Sequence, residues 1–89
     1  TGVSGLVGRI LFNYLFDKYA STSYLLGLDQ HLDRSPRYAL EDLEGWKETQ
    51  RLAIPSDRFV QCDITDAQQL NAIVSSHRIN TIIHLAAVL

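Results

Sequence analysis

The opening residues TGVSGLVGRI set glycines at positions 2, 5 and 8, and an apolar helical pattern follows at once. Such spacing marks a backbone that something approaches closely. A helix N-terminus presents unpaired N–H groups and a partial positive charge, so it accepts a pyrophosphate where no side chain obstructs it. On that reading Gly2 permits the tight turn, Gly5 lets the phosphates touch main chain, and Gly8 lets the helix pack closely. Ser4 offers a hydroxyl donor. The competing reading is a set of tight turns with no ligand. No Gly-Lys-Ser or Gly-Lys-Thr follows, which excludes a P-loop.

Asp29 favours the ligand reading. It lies roughly twenty residues past the last glycine, at the end of an expected strand, where a carboxylate accepts hydrogen bonds from an adenosine ribose. The same charge repels a 2′-phosphate, so NAD is favoured over NADP; Arg34 and Arg37 downstream would weaken that preference if either folded back. Taken alone, Asp29 has a second, less favoured reading as a solvated aspartate at a strand end.

Other reactive side chains carry less. Tyr14-Leu-Phe-Asp-Lys18 holds a tyrosine and a lysine four residues apart, a spacing that suits an acid–base pair. Tyr14 falls on the apolar face of its helix, and core packing is the expectation. His31, His77 and His84 have no metal-ligand spacing with Cys62, and no metal is expected. His77 is read as ending a helix, His84 as a satisfied buried imidazole, and Cys62 as a small core residue. Glu41-Asp42-Leu43-Glu44 reads as a solvated helix face. Tyr38 and Trp46 read as packing residues.

These groups need elements to hold them. Residues Gly5 to Tyr19 read as an amphipathic helix, with Leu6, Val7, Ile10, Leu11, Tyr14 and Leu15 at helical spacing. Ala20 to Thr22 is a loop, and Ser23 to Leu28 a buried strand. Ser35-Pro36 starts a helix over Arg37 to Leu52, with a break at Gly45 and a stop at Pro55-Ser56. Arg58 to Ile64 reads as a second strand. Thr65-x-x-Gln68 reads as a capping box for a helix carrying Leu70, Ile73, Val74 and His77 and ending at Asn80. Thr81 to Ala86 is a third strand. Strands alternating with helices imply an α/β fold, a Rossmann-type doubly wound parallel sheet. A glycine turn of this kind follows a strand, and the apolar run IIHLAAVL has no polar close. Residues 1–89 are therefore expected to be one partial NAD(P)-binding domain, truncated at both ends.

Composition agrees. The 89 residues are 46% hydrophobic with a net charge of -2, which fits one globular unit and offers no basic stripe for nucleic acid. The apolar run near the end is too short to span a bilayer. One cysteine excludes an internal disulfide and fits a reducing, cytoplasmic compartment.

Taken together, Thr1-Gly2-x-x-Gly5-x-x-Gly8, Asp29, Cys62-Asp63-Ile64-Thr65-Asp66 and His84-Leu85-Ala86-Ala87 resemble the extended short-chain dehydrogenase/reductase family, the branch of NAD-dependent epimerases and dehydratases. The resemblance covers the whole chain. It implies that Gly2, Gly5, Leu6 and Val7 line a pyrophosphate, and that Asp29, with Gln30 and His31 behind it, holds the adenosine ribose. It implies that Asp63 bonds the adenine amine with Ile64 beside the ring, and that Leu85, Ala86 and Ala87 flank the middle of the cofactor. It further implies a nucleotide-sugar substrate, a homodimeric parent, and a catalytic Tyr-x-x-x-Lys beyond Leu89. No catalytic residue is expected in this chain, because Tyr14 and Lys18 come far too early. A simple dehydrogenase or reductase of the same family, and a non-catalytic dinucleotide sensor or scaffold, fit these residues as well. The resembled fold orders its strands 3-2-1-4, the first lying before Thr1. A sheet lacking that strand leaves buried groups unpaired at about 1–3 kcal/mol each, so the isolated chain is expected to fold poorly or to aggregate.

Overall fold

A computed structural model describes residues 1–34 and 51–86. Among these lie two helices and a two-stranded sheet. Helix α1 spans Leu6–Tyr19, strand β1 Gly27–Asp29, strand β2 Phe59–Gln61 and helix α2 Ala67–Ser76, with a 3-10 turn at Ser56–Arg58 before β2. The strands are parallel, with Leu28 opposite Val60. Cys62 continues the ladder by donating its N–H to the Asp29 carbonyl at 2.9 Å.

The period-two alternation of the strands divides the core. Leu25 and Phe59 pack with Val3, Phe12, Leu52 and Ile54; Leu26, Leu28 and Val60 pack with Cys62, Ile73 and Leu70. Phe12 belongs to α1, and Leu70 and Ile73 to α2, so the helices cover opposite faces of the sheet. That layering is compatible with part of an α/β, Rossmann-like sheet. Thr1 and Gly2 extend the sheet sideways. Gly2 donates its N–H to Leu28 at 2.9 Å, while Thr1 donates to Ile83 at 2.7 Å and accepts from Leu85 at 3.3 Å. Thr1 and Gly2 thus lie between β1 and residues 83–85, while the sheet itself has two strands, β1 and β2.

Several expectations need correction. The strands are shorter than Ser23–Leu28 and Arg58–Ile64, because only residues 27–29 and 59–61 find each other in register. Residues 81–86 form no strand; the backbone bonds linking them to the sheet all run to Thr1, too few for a ladder. Arg51 and Leu52 are not helical, and Leu52 is a core residue at 1% exposure. The rest of the expected helix, with Tyr38, Glu41 to Glu44, Gly45 and Trp46, lies outside the described residues, as does Ala87.

The expected capping box is not formed, and the Asp66 N–H donates to the Asp63 carbonyl at 2.9 Å. Asp66, not Thr65, caps α2, its Oδ1 accepting the Gln69 N–H at 3.1 Å. Thr65 is already engaged, since its hydroxyl donates to Asp63 Oδ1 at 2.7 Å. At the other end α2 stops at Ser76 with His77 as C-cap, ahead of Asn80. Arg78 there adopts a left-handed φ of 53°. Its N–H donates to Ser75 and that of Ile79 to Val74, which is a Schellman closure.

Candidate functional site

Two of the three glycines are required by the fold. Gly2 has φ +73°, and a Cβ on it would lie 2.7 Å from the Ala86 nitrogen. A Cβ on Gly8 would run into the Gly2 carbonyl, so the helix can pack on the turn only with hydrogen there. Gly5 differs. Its φ of -71° suits any residue, and a Cβ would meet nothing nearer than 3.4 Å. The fold does not demand glycine at position 5. Gly5 is also the N-cap of α1, with no side chain bonded to the first-turn amides. Leu6 and Val7, which open that turn, are 37% and 62% exposed. Main-chain donors with no obstructing side chain suit a phosphate.

The turn is held from beneath. Ser4 donates its N–H to Asp29 Oδ2 at 3.0 Å and its hydroxyl to the His31 carbonyl at 2.8 Å, and the hydroxyl accepts the Asp33 N–H at 3.1 Å. Ser4 is buried. The hydroxyl read from sequence as a phosphate donor is therefore committed to tying the turn to residues 31–33. Arg9, which the sequence reading passed over, has the same task. Fully buried, its guanidinium donates to the carbonyls of Ser4, Gly5 and Asp33. Its only sequence signal was a charged residue one position past the last glycine, on the face that Gly8 and Phe12 share.

Asp29 sits at the end of β1, half-buried. Its Oδ2 takes the Ser4 N–H and its Oδ1 the Gln30 N–H at 2.7 Å, leaving each oxygen a second lone pair. Beside it Gln30, His31, Gln61, Cys62, Asp63 and Gln69 line an open polar cleft. Asp63 Oδ1 accepts the Thr65 N–H at 2.9 Å as well as its hydroxyl. Those two bonds, in that order, and a further one from the Gln30 side chain hold the Asp63 carboxyl below the usual carboxylate range. Gln69 bridges the cleft wall by donating to the Gln61 carbonyl at 3.2 Å. Ile64 turns away and packs on the Leu28 cluster.

On the other side of the turn, Leu85 and Ala86 close against Gly2, and both donate N–H groups to Thr1 Oγ1, at 3.2 and 3.3 Å. The turn at Gly2 thus touches Asp29 through Ser4 on one side and Leu85 and Ala86 on the other, at the carboxyl end of β1. Ligands of open α/β sheets bind at that end of the strands.

The remaining candidates fall elsewhere. Tyr14 is 56% exposed, not in the core, since it stands about 200° round the helix from buried Phe12. Its hydroxyl accepts from Lys18 Nζ at 3.1 Å on the helix surface. His84 is exposed, not buried, and its Nδ1 lies 2.6 Å from Thr1 Oγ1. His77 ends its helix as expected and stacks on Tyr24. Cys62 is a core residue at 2% exposure, its thiol pushed up by burial and then by the nearby Asp66 and Asp63 carboxylates. Among the described residues no group of three or more His, Cys, Asp or Glu is placed to hold a metal ion, and no helix is long and apolar enough to cross a membrane.

Comparison with known families places this geometry. The pattern of the family described as GDP-mannose 4,6 dehydratase matches residues 1–89. No curated protein and no solved structure matches the chain. The chain belongs to the GDP-mannose 4,6 dehydratase family, within the NAD-dependent epimerases and dehydratases. That family is one of NAD(P)-dependent enzymes of the nucleotide-sugar dehydratase and epimerase type.

Proposed function

We propose that this member of the dehydratase family carries the NAD-binding half of an epimerase or dehydratase acting on a nucleotide sugar. In this reading the pyrophosphate rests on the main chain at Gly2, Gly5, Leu6, Val7 and Gly8. The free lone pairs of Asp29 take the adenosine ribose, with Gln30 and His31 behind it. Asp63 accepts from the adenine amine, and Ile64 backs that wall. Leu85, Ala86 and Ala87 flank the middle of the dinucleotide. Bound NAD would take a hydride from the sugar and return it. The residues here bind and orient; the acid–base pair belongs beyond Leu89.

Preference for NAD over NADP rests on two observations. The Asp29 carboxylate occupies the strand end where a 2′-phosphate would sit, and Arg34 is turned away from it. The Arg34 guanidinium donates to the Ile54 carbonyl at 3.0 and 3.2 Å and to Ser56 Oγ at 3.3 Å.

The reading is carried by Gly5, a glycine that the fold itself does not require, at an uncapped helix N-terminus. Gly5→Val in the full-length protein is the test. Valine suits the local backbone, so the melting temperature should hold within a few degrees while NAD affinity falls at least about tenfold, the loss of roughly one good hydrogen bond. Undiminished affinity in a folded variant would sink the reading.

A further inference from the structure

We infer that Gln69 is a specificity-determining residue for the base: its side-chain oxygen accepts one hydrogen of an exocyclic amine whose other hydrogen goes to the Asp63 carboxylate. The inference rests on the NAD reading for the base, adenine, that enters the polar cleft.

Counting acceptors leads to it. Gln30, His31, Gln61, Cys62, Asp63 and Gln69 line the cleft. A carboxylate offers about four acceptor positions. On Asp63 the Thr65 N–H and hydroxyl take two of them, both at Oδ1, and the Gln30 side chain takes a third. The position left over lies on Oδ2 and serves a single N–H hydrogen. An exocyclic amine carries a pair of hydrogens, and a donor left unmatched in the cleft costs binding energy. A further acceptor is needed beside Asp63.

Gln69 supplies one, and the fold sets which way it faces. Its Nε2 donates to the main-chain carbonyl of Gln61 at 3.2 Å. A carbonyl can only accept, so the amide nitrogen faces Gln61 and the amide oxygen faces away from it. Turning the amide over would set two oxygens against each other. The main chain of Gln69 is fixed as well, because its N–H is the one that Asp66 caps at 3.1 Å. Among the described residues the side-chain oxygen has no partner. A base with an amine at this place finds an acceptor for each hydrogen. A base with a carbonyl there meets oxygen against oxygen on both sides.

Two titrations of the full-length protein test this, one with NAD and one with its hypoxanthine analogue, in which a carbonyl replaces the adenine amine. Calorimetry should give NAD an affinity at least about tenfold above that of the analogue. Gln69→Met keeps the length of the side chain and removes the acceptor, at an exposed helix position that methionine suits. It should melt within a few degrees of the unaltered protein and narrow the ratio about fivefold, the worth of one neutral hydrogen bond. A merely structural role would weaken both ligands alike and leave the ratio where it was, so an unchanged ratio in Gln69→Met overturns the inference. Asp63→Asn separates the two readings. A ratio that narrows there and holds in Gln69→Met keeps the adenine contact with Asp63 and removes Gln69 from it. Equal affinity of the unaltered protein for both dinucleotides also overturns the inference, while the cofactor reading stands. Should it bind neither, the cofactor reading falls and this inference with it.

Discussion

Gly2, Gly5 and Gly8 look alike in the sequence and differ in what they permit. Gly2 supplies a left-handed backbone, Gly8 supplies clearance, and Gly5 leaves a space that no side chain among the described residues fills. Asp63 shows a similar division between fold and site. Its carboxylate holds the turn before α2 through Thr65 and also faces the polar cleft. Because its folded pKa lies below the usual value, the turn gains from the ionised form at every pH above the ordinary carboxylate range. That gain disappears as the pH falls through the lowered folded value. Carbon-13 titration should therefore place the Asp63 midpoint below that of an unfolded aspartate. Thr65→Val, which removes the hydroxyl bond, should move the midpoint back up.

At the scale of elements, α2 carries a device at each end. Asp66 satisfies a first-turn amide, and Asp66→Ala should cost about 1 kcal/mol in chemical denaturation. At the far end Arg78 occupies a left-handed position that strains any residue with a Cβ. Arg78→Gly should recover about 1 kcal/mol, read as a higher denaturation midpoint, because the Schellman bonds are main chain and survive the change. Loss of stability in that variant would show instead that the Arg78 side chain contributes. Helix α1 is built differently. Its N-terminus has no side-chain cap, and its anchoring comes from Arg9 beneath the turn.

For the whole molecule, the sheet is broad in intent and narrow in pairing. Residues 83–85 join it only through Thr1, and Ile82, Ile83 and Leu85 are 56%, 47% and 41% exposed. An apolar cavity of about 160 Å³ opens beside them, lined by side chains of both helices, Leu11 and Leu15 from one and Leu70 and Ile73 from the other. Exposed apolar backbone at a sheet margin invites edge-to-edge association. Ile82→Lys should lower the light scattering of the isolated chain at a given concentration. Unchanged scattering would place the association elsewhere.

Period and turn chemistry were enough to read the layers. Apolar residues at helical spacing from Leu6, the alternating strands around Leu28 and Val60, and the glycine spacing are local signals, set by backbone sterics and by which face must leave water. They determined the α/β class and the place of the glycine turn ahead of α1. Tertiary contact decided the rest. Strand ends depend on which residues find a partner, so β1 and β2 came out shorter and residues 81–86 formed no ladder. The hydroxyl of Ser4, the guanidinium of Arg9 and the exposure of Tyr14 were settled only in three dimensions. A polar side chain's role is fixed by whichever donor or acceptor reaches it across space, and sequence spacing does not encode that distance.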